Sequence, residues 1–222
     1  TIGIIGGMGP LATVEFQRLL VEATPATCDQ DHLDVLVHNN SQIPDRTASL
    51  ASDDGASYVA AIIESGQRLV MAGATVLVIP CVTAHARFEQ IQQGVTVPIV
   101  HIIESAAEEA AFSYRSVGIL ATNGTAREGF VGKVFGKHGL TTVLPDQLDQ
   151  QKVMKAAYDV KAGNPRKSAE LLEVARCLKA RGAQALLLGC TELALYENVL
   201  RTVLPTINPM KATAKALVAL SK

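Results

Sequence analysis

Two short stretches place a thiol beside small polar groups: VLVIPCVTAH at 76–85 and ALLLGCTELA at 185–194. Each is an apolar run that ends in a cysteine, with a threonine one or two residues on: Cys81-Val82-Thr83 and Cys190-Thr191. A thiol at the exit of a buried strand, where a helix begins, feels the positive end of the helix dipole, which favours thiolate. Free cysteine titrates near 8.5, so modest help makes a usable base near neutrality. The hydroxyls of Thr83 and Thr191 and the following backbone N–H groups can cradle an anion. Two such thiols facing one small cleft suit one reaction. One removes a proton from carbon, the other returns a proton to the opposite face, and a stereocentre inverts without a cofactor. A lone cysteine at a strand end is more often a small buried hydrophobe. Matched surroundings in two places are what favour a site.

Other residues could serve the same cleft. GGMGP at 6–10 reads as a tight turn that lets a small ligand approach backbone N–H groups, with Met8 at its centre. The third glycine of a dinucleotide-binding GxGxxG is missing, so a Rossmann reading is poor. ATNGT at 121–125 offers Thr122, Asn123 and Thr125 ahead of a helix, a seat for a carboxylate. Arg46, in the polar loop NNSQIPDRT, carries a guanidinium fork that fits a carboxylate. The plain alternative is a solvated arginine paired with Asp45. Lys161, in DVKAGN, can be an ordinary helix-end cation or a second carboxylate partner. Metal binding is disfavoured: Cys81 with His85 and Cys190 with Glu192 lack the spacing of CxxC or HExxH sites. His85 reads as a residue that orients its loop by a hydrogen bond.

The bulk properties narrow the function class. A net charge of −1 from 20 Lys+Arg and 21 Asp+Glu argues against a sequence-independent nucleic-acid surface. No apolar run approaches the 18 or so residues of a membrane span. The opening TIGIIGG reads as a strand, and no secretory leader is visible. Cys28, Cys81, Cys177 and Cys190 form no CxxC pair, so a reduced, cytoplasmic protein is expected. Cys28 and Cys177 are expected to be small buried hydrophobes. With 48% hydrophobic but only 4% aromatic residues, the core must be aliphatic.

The elements that must position these residues alternate. Strands are expected at 2–5, 34–39, 75–80, 99–102, 116–121, 141–144, 185–189 and 202–205. Helices are expected at 11–23, 55–72, 166–181 and 209–221. Continuous apolar strands separated by helices imply parallel sheets covered on both faces. TIGIIGGMGP resembles SVGILATNGT at 116–125, and the two cysteine stretches resemble each other 109 positions apart. The fold class is therefore α/β, with two similar pseudo-symmetric α/β domains. The first spans 1–100 plus 209–222 and the second 101–208. Ligands in such sheets sit at the carboxyl ends of strands, and a pseudo-twofold pairing would turn both thiols toward one cleft between the domains.

The segments IGIIGGMGPLAT, NNSQIPDRT, IPCVTAH, LATNGT, YDVKAGN and GCTEL, in this order over nearly the whole chain, resemble the cofactor-independent aspartate/glutamate racemase family. They look most like its aspartate racemases. The resemblance implies two α/β domains with the site between them, commonly a homodimer, and two-base chemistry without pyridoxal phosphate. It implies that Cys81 and Cys190 are the catalytic thiols. Thr83, Thr191 and Thr125, with nearby backbone amides, would hold the α-carboxylate and ammonium, and Met8, Val82 and Thr122 would line the substrate. Arg46 and Lys161 would hold the side-chain carboxylate of aspartate or glutamate.

One position departs from the family pattern, which usually reads Cys-Asn-Thr where this chain has Cys81-Val82-Thr83. Losing an amide aimed at substrate costs about 1–3 kcal/mol. Two other readings therefore stay open: a decarboxylase or cis–trans isomerase of a small dicarboxylate on the same fold, and a non-catalytic dicarboxylate binder.

Overall fold

A computed structural model describes residues 1–163 and 169–221. The chain divides into two compact units, Thr1–Ile102 with the chain from Met210 onward, and Ile103–Pro209.

Unit 1 contains β1 (Ile2–Gly6), α1 (Pro10–Ala23), β2 (Val35–Asn39), α2 (Arg46–Ser52), α3 (Ala56–Met71), β3 (Val76–Val78), α4 (Phe88–Gln93) and β4 (Ile99–Val100). Its four strands are all parallel, in the order β2-β1-β3-β4. Every residue of β1 is buried, as a strand covered on both faces requires. Along α3 the buried residues Tyr58, Val59, Ile62, Ser65, Gly66 and Leu69 recur at helical spacing. They form the stripe that packs on the sheet.

The helix α5 (Ile102–Ala111) leads into unit 2. There follow β5 (Ser116–Ala121), α6 (Asn123–Glu128), α7 (Phe130–Lys137), β6 (Thr141–Val143), α8 (Gln147–Lys161), α9 (Ala169–Ala180), β7 (Ala185–Gly189), α10 (Glu197–Leu200) and β8 (Thr206–Ile207). The strand order β6-β5-β7-β8 repeats that of unit 1, again all parallel. From Met210 the last helix, α11 (Pro209–Leu220), belongs to unit 1.

The repetition extends to side-chain packing. A methyl on Gly3 would meet Leu77, Ala74 and Leu69; one on Gly118 would meet Leu186, Ala183 and Leu178. Each matched pair, Leu77 with Leu186, Ala74 with Ala183 and Leu69 with Leu178, lies 109 positions apart, as do Cys81 and Cys190. A bare glycine on the central strand lets the helix that precedes the cysteine strand pack closely, and both units use the same device.

Several boundaries differ from expectation. Residues 202–205 are not a strand: the N–H groups of Thr202, Val203 and Leu204 bond back to carbonyls of Val199 and Leu200, continuing the turn of α10. Pairing starts at the Pro205 carbonyl, which accepts from Leu186, and β8 follows at Thr206. β3 stops at Val78 because the Cys81 N–H turns back onto the Ile79 carbonyl, 2.8 Å away, across Pro80. β4 stops at Val100, since Ile102 already opens α5. The helix expected at 166–181 is described from Ala169 to Ala180, and 164–168 lie outside the described residues.

Cys28 and Cys177 are exposed, contrary to the buried positions expected of them. Cys28 caps a single 3-10 turn that has no buried residue, and Cys177 lies off the buried stripe of α9 (Leu171, Val174, Ala175, Leu178). Among the described residues no helix is long and apolar enough to cross a membrane.

Candidate functional site

With strand order 2-1-3-4, the connection leaving β1 runs to β2 on one side and the connection leaving β3 runs to β4 on the other, so the crevice of such a sheet opens at the carboxyl ends of β1 and β3. The β1 exit carries the Gly7–Gly9 turn and the β3 exit carries Cys81. In unit 2 the matching strands are β5 and β7, whose exits carry Thr122 and Cys190. Each cysteine therefore stands at the switch point of its own sheet.

In unit 1 the Gly7–Gly9 turn is held by Thr13, whose hydroxyl accepts the Gly7 N–H at 2.9 Å and donates to the Gly9 carbonyl at 3.0 Å. Gly7 has φ +95°, and a methyl there would lie 2.2 Å from the Asn40 carbonyl group. Only glycine fits. Met8 buries its side chain in the same apolar cluster as Ile43, Tyr58, Cys81 and Ala84.

Arg46 opens α2, and Asp45 caps that helix by accepting the Ala48 N–H at 2.9 Å. The arginine is not a solvated surface charge: it is only 7% exposed. Its guanidinium donates to the carbonyls of Pro44 (2.9 Å), Ile43 (3.3 Å) and Met8 (3.4 Å). Its buried Nε–H meets no acceptor among the described residues. Neutral carbonyls orient this cation without neutralising it, and a buried donor left open is costly unless something fills it.

Cys81 is 6% exposed. His85, fully enclosed, holds the Cys81 carbonyl through Nδ1 at 2.9 Å and faces the Ile102 N–H through Nε2 at 3.5 Å. Phe88 stacks on the ring at 5.6 Å and His101 meets it edge-on at 4.7 Å. Burial, with His101 adding, pushes the His85 pKa down to about 3, so the ring is neutral. Val82 is 1% exposed and Thr83 opens a 3-10 turn over Thr83–Arg87.

In unit 2, Cys190 is 5% exposed and precedes a 3-10 turn over Thr191–Tyr196. Its thiol donates to Glu192 Oε2 at 2.9 Å, and the Thr191 hydroxyl reaches the same oxygen at 3.3 Å. The expectation that a following helix favours thiolate does not hold here. Burial first, then the Glu192 carboxylate, raise the Cys190 pKa well above its ordinary value, with Lys161 opposing. A 3-10 turn brings little dipole, and a carboxylate within its first turn outweighs it. Lys161 ends α8 exposed, its Nζ 4.9 Å from the centroid of the Tyr158 ring. Thr122 caps α6 by accepting the Thr125 N–H at 3.4 Å, and the two buried hydroxyls lie 3.3 Å apart.

The arrangement thus groups Met8, Arg46 and Cys81 in unit 1, and in unit 2 gathers Cys190 and Thr191 about Glu192, with the Lys161 charge acting on Cys190. Sequence reading weighed Glu192 only as a metal ligand. Its place two residues past the cysteine was the available signal. Phe88 and His101 were missed as supports of His85, although His85 and Phe88 sit at helical spacing. Gln150 was missed too. It bridges the Ala121 carbonyl (2.8 Å) and Asn123 (3.0 Å) from α8, and its sequence neighbours give no hint of it. Among the described residues no cluster of three or more His, Cys, Asp or Glu side chains could hold a metal ion.

A family model described as Asp/Glu/Hydantoin racemase matches residues 5–217. The structure is similar to the aspartate racemase of Picrophilus torridus, with 31% identity, TM-score 0.85, and 99% of this chain and 93% of that one covered. The sequence is similar to the broad specificity amino-acid racemase RacX of Bacillus subtilis (strain 168), 25% identical over 98% of this chain and 96% of the relative. A glutamate racemase of Francisella tularensis, solved in complex with D-glutamate, shares the fold at TM-score 0.76 and 17% identity, over 99% of this chain and 80% of that one.

Proposed function

Because the chain belongs to the Asp/Glu/Hydantoin racemase family, we propose that it interconverts L- and D-aspartate, with glutamate as the alternative acidic substrate. The chemistry is two-base proton transfer by Cys81 and Cys190, without pyridoxal phosphate. One observation carries this reading. The two cysteines leave equivalent strands of two identically ordered sheets, each at its own switch point.

One thiolate takes the α-proton and becomes a thiol. The opposite thiol gives its proton to the other face of the carbon and becomes a thiolate, so the proton count balances and the centre inverts. An amino-acid α-carbon gives up its proton reluctantly, so the charge that develops on the carboxylate needs fixed donors. Thr83, Thr191, Thr122 and Thr125 supply hydroxyls for the α-carboxylate and ammonium. Arg46 and Lys161 supply charge for the side-chain carboxylate, and the unfilled Nε–H of Arg46 supports that role. Likeness to an aspartate racemase at 31% identity supports the shorter acid, while RacX, named for broad specificity, makes a panel of amino acids the proper screen.

The test is incubation with L-aspartate in D₂O without pyridoxal phosphate, followed by proton NMR and chiral analysis. The expected result is loss of the α-proton signal together with appearance of D-aspartate. Release of CO₂ would instead assign a decarboxylase. A ligand-induced rise in melting temperature without deuterium incorporation would assign a binder.

A further inference from the structure

We propose that Glu192 acts as a positioning residue that keeps Cys190 protonated, so that unit 2 enters the reaction carrying the proton donor. The inference rests on the racemase reading for its catalytic meaning, but the contact itself does not depend on that reading. The geometry is specific: the Cys190 thiol and the Thr191 hydroxyl converge on one oxygen, Oε2 of Glu192, at 2.9 and 3.3 Å. An S–H pointing at a carboxylate is held as S–H, since ionising it would set two negative charges in hydrogen-bond contact in a site that is 5% exposed.

The two units differ here despite their shared fold. Two residues past the cysteine, unit 1 has Thr83 where unit 2 has Glu192. Among the described residues, the charged groups that bear on the Cys190 sulfur are Glu192, from the same turn, and Lys161, from the end of α8. They oppose each other, and the carboxylate is the one in direct contact. Burial and Glu192 together place the thiol well above its usual titration range.

The consequence is a resting state with a defined proton. The substrate enantiomer that presents its α-hydrogen to Cys81 finds its proton donor ready. After turnover the proton taken from carbon sits on Cys81 and Cys190 is a thiolate beside Glu192. That product form is driven to recapture a proton from solvent at Cys190 while Cys81 releases one. Since enantiomers are isoenergetic, kcat/KM must stay equal in the two directions at every pH, so the asymmetry shows in titration and not in a preference for one isomer.

The experiment is a thiolate titration by ultraviolet absorbance, wild type minus Cys190→Ser, compared with the same difference in a Glu192→Gln background. Glutamine keeps the size and an acceptor oxygen but removes the charge. The expected result is a Cys190 titration displaced to lower pH in Glu192→Gln and retained at high pH in Glu192→Asp. An unmoved titration in Glu192→Gln overturns the proposal. Racemase assays on the same variants add the second reading: the high-pH limb of kcat/KM moves down in Glu192→Gln, equally for both enantiomers. A titration that shifts in Glu192→Gln, with a wild type that never racemises, leaves the Glu192 assignment standing and removes the racemase reading instead.

Discussion

His85 donates through Nδ1 to the carbonyl oxygen of Cys81 at 2.9 Å, and only the neutral ring with its hydrogen on Nδ1 also leaves Nε2 free to face the Ile102 N–H. This ties the turn after β3 to the chain after β4. Burial holds the His85 pKa at about 3, below the ordinary 6.5. The unfolded chain therefore binds an extra proton between these values. The contribution is constant above about pH 7 and is lost as the pH falls through the window from 6.5 to 3. At pH 5 this one group should cost about 2 kcal/mol of folding stability. Urea unfolding of wild type and His85→Gln across pH 5–8 checks it. Glutamine can still donate to the Cys81 carbonyl but does not titrate, so the acid-side loss should shrink. An identical slope in both proteins would remove His85 as its cause.

Arg46 should prove irreplaceable by lysine. The guanidinium reaches three backbone carbonyls and keeps one buried N–H open, which a single ammonium cannot reproduce. Arg46→Lys should lose about 1–3 kcal/mol of stability. It should also bind aspartate at least about tenfold more weakly, the scale of one lost charge-assisted bond. Calorimetric titration with aspartate and with alanine separates the two effects. Aspartate binding should fall while any alanine binding is unchanged; an equal loss for both would mean that Arg46 serves the fold alone.

Much of this architecture was legible beforehand because apolar runs between helices leave few alternatives. The strands at 116–121 and 185–189 and the helix after Pro10 lie where the pattern placed them. The strand expected at 202–205 failed because Val203 and Leu204 are apolar in order to pack on unit 2's core, not to pair. A three- or four-residue run carries no period that could separate these uses. Glu192 was legible as a residue type but not as a partner of Cys190: the contact depends on Cys190 standing in extended backbone just ahead of the 3-10 turn that carries Glu192, a local geometry that residue spacing alone does not give. The burial of Arg46 was hidden by its polar neighbours: what encloses it is the Met8 turn, 38 residues away.

Replacing either thiol should stop inversion. Cys81→Ala and Cys190→Ala each remove one proton carrier, and a missing general acid or base costs about 10²–10⁴ in rate. Both sites are nearly enclosed, so circular dichroism and melting temperature must first show that each variant folds. Racemisation of L-aspartate should then fall by at least about a hundredfold in each. Wild-type rates in either single variant would end the two-base scheme. Loss in one alone would favour single-thiol chemistry such as decarboxylation.

Val82 distinguishes a packing position from a substrate contact. Its side chain is 1% exposed, and its carbonyl accepts the His85 N–H at 3.0 Å, so the backbone there is already committed to the turn. The counterpart one residue past Cys190 is Thr191, which offers a hydroxyl where Val82 offers only methyl groups. Val82→Asn would bury an amide. Without a partner the amide should destabilise the free protein by about 1–3 kcal/mol. If the position faces substrate, aspartate supplies that partner. The variant should then melt lower than wild type when free, rise further on addition of aspartate, and turn over faster at limiting substrate. Melting curves with and without aspartate, together with kcat/KM, decide the matter. A lower melting temperature with no gain in either ligand response or rate would make Val82 a core residue, and the weight of substrate recognition would move to the hydroxyls of Thr83 and Thr191.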